Sequence, residues 1–144
     1  SRGLGDVYKR QVSDIGSRLP IYCTSQGKVF LAHMSRTSAE ALLRAQHMTQ
    51  FTPHTITDLT ALMQEIDLCR ANGYAIENGE YKIGLRSISA PVYTVEGKAR
   101  YTVGVIGMFR STRSDEFLAA VEQVCATASM ISTALGYRKT EELL

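Results

Sequence analysis

Two glutamates three positions apart, Glu77 and Glu80, stand inside the stretch GYAIENGEYKIGLRSISAPVY at residues 73–93. Paired carboxylates do acid/base work when a cleft holds them and drives their pKa values apart. Asn78 and Gly79 lie between these two, so the segment reads as a polar loop with one structural carboxylate. A small enzyme using Glu77 or Glu80 as base, with Ser87, is the catalytic alternative. No Gly-x-Ser-x-Gly elbow, phosphate-binding loop or Gly-x-Gly-x-x-Gly turn supplies the rest of such a mechanism. Cys23, Cys69 and Cys125 are far apart, odd in number and without Cys-x-x-Cys spacing, which argues against a disulfide framework and a zinc site. That usage fits a reducing, cytoplasmic compartment. His33, His47 and His54 match no metal-ligand spacing. We therefore expect no catalytic residue, no metal and no cofactor.

The residues after the glutamates raise a different chemistry. Gly97 in TVEGK marks a hairpin turn over 95–98, so that cross-strand partners have numbers summing to about 193. Side chains alternate between faces, which puts Leu85, Ser87 and Ser89 on one surface with Ile106, Gly104 and Thr102. Two serines and a glycine stand where a packed sheet would present Val or Leu. The space they leave suits a polar ligand oriented by hydroxyls. It equally suits close packing of a helix, and spacing does not decide between the two. TSQGK at 24–28 adds a helix start, whose first N–H groups at the positive dipole end suit a carboxylate.

The elements that must position these residues follow from periodicity and caps. With 144 residues and 44% hydrophobic content, the chain reads as one domain with a real core. RLPIYC at 18–23 reads as a short strand or extended entry, leading to a helix capped by Thr24 or Ser25. Thr37 and Glu40 form a capping box for a short helix running to about Ala45. Thr57 or Asp58 opens a longer helix with Leu59, Leu62, Met63, Ile66 and Cys69 on its core face, stopped by Gly73. YAI and the two arms of the hairpin are strands. Ser114, with Asp115 and Glu116, opens a last helix whose apolar positions are Phe117, Val121, Val124, Ala128, Ile131 and Leu135. Helices flanking a largely antiparallel sheet make an α+β architecture. The balance of 16 basic and 14 acidic residues gives no concentrated basic face for nucleic acid, and Arg100, Arg110 and Arg113 read as a solvated edge. No apolar run of about 18 residues is expected to span a membrane, and the opening lacks the apolar core of a signal peptide. Residues 1–11 show no periodicity and stay unassigned, a segment not native to the domain being one reading; the domain is placed at 12–144.

In their order, IGSRLPIYCTSQGKVFLAHM, FTPHTITDLTALMQEIDLCRANGYAIENGEYKIGLRSISAPVY and the final ISTALG resemble the effector-binding domain of IclR-type bacterial transcription regulators. The family pattern runs from a Pro-Leu/Ile segment into a Thr/Ser-Ala-x-Gly-Lys helix start, then Thr-x-x-Thr-Ile before a helix ending Arg-x-x-Gly-Tyr-Ala. An acidic Asp-x-Glu-Glu stretch, a Gly-hydrophobic-Arg-Cys-Ile-Ala-Ala-Pro strand and a hairpin follow. The resemblance covers residues 15–137. It implies a GAF-like or profilin-like domain that senses a small metabolite, an organic acid in many members, and assembles as a homodimer or homotetramer. It also implies a winged helix-turn-helix domain that binds DNA in the intact regulator; this chain lacks it, together with the first strands of the effector domain. Carried over residue by residue, the ligand positions are Ser25, Gln26 and Gly27 at the helix start, Glu77 where Asp is usual, Leu85, Ser87 in place of Cys, and Gly104 and Ile106 in place of Ser. Losing those two serines removes donors and shifts the pocket toward apolar contact. Gly79 replaces the first Glu of the Glu-Glu pair, leaving Glu80. A dimerisation scaffold with a vestigial pocket is the remaining alternative.

Overall fold

The computed structural model describes residues 16–139. Thr24 caps α1 (Ser25–Ala32) by accepting the Gly27 N–H on its hydroxyl. Ser35, not Thr37, caps α2 (Arg36–Arg44), taking the Ser38 N–H; Glu40 pairs with Arg44 instead of reaching back to the cap. Asp58 opens α3 (Leu59–Asn72), and Gly73 closes it with φ 79°. Residues 17–24 form no strand, because the chain turns back on itself and the Thr24 hydroxyl donates to the Pro20 carbonyl.

The sheet among the described residues is antiparallel, in the order β1 (Ala75–Asn78), β2 (Arg86–Tyr93), β3 (Ala99–Gly107). Ser87 pairs with Ile106, Ser89 with Gly104 and Pro91 with Thr102, the register expected from the turn. β1 reaches two residues farther than its sequence suggested. Glu77 and Asn78 are strand residues opposite Ser87 and Arg86, so the polar loop begins only at Gly79. Long-range pairing with β2 overrides the weak strand preference of Glu and Asn.

Because strand side chains alternate, the sheet has two unlike faces. Ile88, Ala90 and Val92 pack on Phe117, Val121, Val124 and Ala128 of α4 (Asp115–Ala134), which Ser114 caps. Ala75, Glu77, Ser87 and Ser89 look the other way, toward α1, behind which α3 adds Leu62, Met63 and Ile66 to the second core cluster. Near the end of α4 the buried position is Ser132; Ile131 and Leu135 are exposed, contrary to expectation. The ladder between β2 and β3 is irregular at Val92/Tyr93, and there the Ser132 hydroxyl accepts the Tyr93 N–H at 3.0 Å. The membrane expectation also needs correction. α4 is by length and composition apolar enough to cross a bilayer, with a mean hydropathy of 1.3 over its most apolar 18 residues, in which apolar side chains far outnumber charged ones. One stripe of it is core against β2.

Candidate functional site

Among the described residues the sheet ends at β1, and an edge strand has backbone groups without strand partners. Lys28 deals with one of them. The Thr24 cap starts α1 so that Lys28 points under the sheet edge, where it is 1% exposed and its Nζ donates to the Ile76 carbonyl at 3.1 Å. The same ammonium lies 2.8 Å from Glu80 Oε2 and 3.5 Å from Glu65. Glu80, 4% exposed, accepts the Asn78 N–H on that oxygen at 3.1 Å. The ion pair thus lies against this edge of β1. Glu80 Oε1 is buried and has no hydrogen-bond partner among the described residues. A carboxylate bound in this way is a structural group, and this placement separates the two glutamates that spacing alone had paired.

Glu77 points into a different environment. It is 2% exposed, and its Oε1 accepts the N–H groups of Glu80 and Tyr81. Oε2 accepts from the Ser87 hydroxyl at 3.2 Å. Burial pushes this carboxyl above the ordinary range; the two backbone N–H groups oppose the rise, and the Glu80 charge adds to it. The Ser25 hydroxyl lies 2.8 Å from Ser87 Oγ and 2.7 Å from Ser89 Oγ. All three serines are buried. Ser89, Ser25, Ser87 and Glu77 therefore form one continuous chain, hydroxyl to hydroxyl to hydroxyl to carboxyl.

A cavity of about 90 Å³ opens beside the Glu77 end of this chain. Of the residues singled out from sequence, Gln26, Glu77, Leu85, Ser87 and Ile106 line it. Leu19, Thr24, Tyr81 and Lys82 complete the lining, and sequence reasoning missed them. Thr24 and Tyr81 adjoin motif positions, but Leu19 and Lys82 carry no local signal. Ser25 does not line the cavity; it stands behind Ser87. Gly27 does not line it either. A side chain there would meet the Ile21 carbonyl oxygen at 2.0 Å, so this glycine permits close chain packing, and its N–H is used by the Thr24 cap. Gly104 is likewise outside the lining. A Cβ at 104 would stand 2.3 Å from the Ile88 carbonyl oxygen and 2.5 Å from Ser89 Oγ. The position on β3 that has no hydroxyl thus lies against the Ser89 hydroxyl of β2, while Ile106 gives the cavity an apolar wall. Close helix packing took most of the hollow, and the cavity is what it left.

Two larger grooves, of about 410 and 420 Å³, run along the outer edge of β1 and beside Tyr93 and α4. Neither includes Glu77 or Ser87. No group of three or more His, Cys, Asp or Glu among the described residues could hold a metal ion. Burial raises the Cys23 thiol to about 12 and the Cys69 thiol to about 11, so both act as small apolar groups.

The class defined by this geometry is an α+β domain with a small cavity between a helix start and an antiparallel sheet. The family model described as "Bacterial transcriptional regulator IclR C-terminal" matches residues 6–133, and the chain belongs to that family. It is 30% identical over 129 residues to the HTH-type transcriptional repressor AllR of Escherichia coli K12, covering 90% of this chain and 48% of that protein. The chain spans about half the length of the curated relatives it matches. Among solved structures, the Agrobacterium tumefaciens repressor BlcR superposes with a TM-score of 0.77 at 32% identity, covering 89% of this chain and 51% of that one. The C-terminal domain of the E. coli transcriptional regulator KdgR gives 0.75 at 33% identity, covering 85% and 75%.

Proposed function

We propose that this chain is the effector-sensing part of a bacterial transcription regulator and that the cavity at Glu77 and Ser87 is where the effector binds. The observation that carries the reading is convergence: Gln26 from α1, Glu77 from β1, Ser87 from β2, Ile106 from β3 and Leu85 from the connecting loop meet in one cavity. At about 90 Å³ the cavity suits a small effector. A small organic acid fits the lining, with Lys82 as the cationic group and Leu19, Leu85 and Ile106 as apolar walls. Binding changes the output only through different affinity for two conformations. The output is control of a DNA-binding domain outside this chain, within a cytoplasmic homodimer or homotetramer.

Thermal-shift and calorimetric titration with keto, hydroxy, aromatic and sugar acids test this reading. Saturable stabilisation without turnover is the expected result. Turnover abolished by Glu80→Gln would make the domain an enzyme, and silence across the panel would leave a scaffold. Ser87→Leu should fill the cavity and abolish stabilisation by ligand, whereas undiminished binding in that variant would place the site elsewhere.

A further inference from the structure

We propose that the cavity takes up an anionic effector together with one proton, held on the carboxyl of Glu77 at the end of the three-serine chain. This deepens the effector-site reading and rests on it. Glu77 Oε1 is committed to two backbone N–H groups, so Oε2, facing Ser87, is the oxygen that responds to the cavity.

Serine hydroxyls each carry one proton and rotate to suit their partners. The Ser87 hydroxyl has two acceptors in reach, Glu77 Oε2 at 3.2 Å and Ser25 Oγ at 2.8 Å, and while Glu77 is ionised its one proton is drawn to the carboxylate. Ser87 then offers the cavity lone pairs only. An incoming carboxylate would meet those lone pairs beside a buried negative charge, an arrangement that costs several kcal/mol in a site of low polarity (about 4 kcal/mol for unit charges 4 Å apart at an effective dielectric of 20).

One proton from solvent removes the conflict. It forms an O–H bond at Glu77 Oε2 and no bond of the effector breaks; the two carboxyl groups carry two negative charges when apart and one when bound, so the charge held in the cavity does not change. Ser87 now accepts from Glu77, and its own proton can turn to the effector. The charged and titratable groups around Glu77 agree with this. The connection after β1 brings Glu80, a like charge paired to Lys28 of α1, and Tyr81 and Lys82 at the cavity wall; the segment before α1 brings the Cys23 thiol, and β2 contributes only Ser87. Burial already holds the Glu77 carboxyl above its ordinary range, the direction that favours proton uptake.

The test is calorimetric titration of the 144-residue chain with acetate and propionate, and with acetamide and propionamide as neutral isosteres, in buffers of different ionisation enthalpy. The acids should bind with uptake of about one proton at pH values above the Glu77 pKa, their affinity falling about tenfold per pH unit. The amides should bind with no proton uptake and no pH dependence. Glu77→Gln, which mimics the protonated acid, should bind the acids with a flat pH profile. Saturable acid binding with no proton uptake overturns the proposal and leaves the effector site standing. Failure of acids and amides alike to bind, or binding unchanged in Ser87→Leu, overturns both. Should Glu77→Gln not fold, the proton count on the unaltered chain decides.

Discussion

The two faces of one three-stranded sheet do different work. Toward α4 the strands present Ile88, Ala90 and Val92 to Phe117, Val121 and Val124, an apolar contact. Toward α1 the same strands present Glu77, Ser87 and Ser89, tied to Ser25 by hydroxyl contacts and opening on a cavity. Period-two alternation allows both on the same residues of backbone. Area removed from water stabilises one face; directed hydrogen bonds specify the other, at the cost of desolvating groups that must then all be satisfied.

This contrast is open to attack by mutation. The largest effects should come from groups that cannot be replaced in place. Phe117→Ala should lower the unfolding free energy by about 3–5 kcal/mol in chemical denaturation, with ligand affinity unchanged in the fraction still folded. Lys28→Met should cost a similar ~3–5 kcal/mol, because it strands Glu80 and the Ile76 carbonyl in the interior. A cost near zero there would mean that the edge of β1 does not need its ion pair. Ser89→Ala removes one link of the hydroxyl chain and should cost about 1 kcal/mol, while altering ligand affinity more than its stability effect accounts for.

Glu77 should give a smaller signal with a definite sign. Its pKa is raised in the folded state, so the native protein holds this proton to higher pH than the unfolded chain does. The stability tied to it is therefore complete below the ordinary carboxylate range and is lost as pH rises through the raised value. Glu77→Gln should remove that decline from a plot of stability against pH. The smallest effect concerns the thiols. Cys23 and Cys69 should resist alkylation in the native state near neutral pH, and Cys125, less buried, should react first. Prompt modification of Cys23 would mean that the cavity side of α1 opens readily.

Legibility in the sequence followed locality. Asp58, Gly73 and Ser114 mark their helix ends correctly because capping involves neighbours in the chain. The hairpin register could be counted because one short turn sets it. Thr37 misled because Ser35, two residues earlier, offers the same hydroxyl chemistry. Glu77 was misread as loop, since its strand character comes from Ser87 across the ladder. Lys28 drew no notice because its partner Glu80 is 52 positions away. Leu19 and Lys82 reach the cavity by routes that no spacing rule describes.

Composition, periodicity, caps and the order of motifs were enough to determine the α+β class, the helices, the hairpin and the family. All of these depend on interactions within a few residues or on patterns repeated along one element. Tertiary structure alone decided which glutamate lies at the sheet edge and which faces the cavity. It also decided that Gly27 and Gly104 serve close approach while Ser25 and Ser89 stand behind Ser87. The reason is physical: burial, pKa and hydroxyl direction are properties of an environment, and here that environment is assembled from segments tens of residues apart.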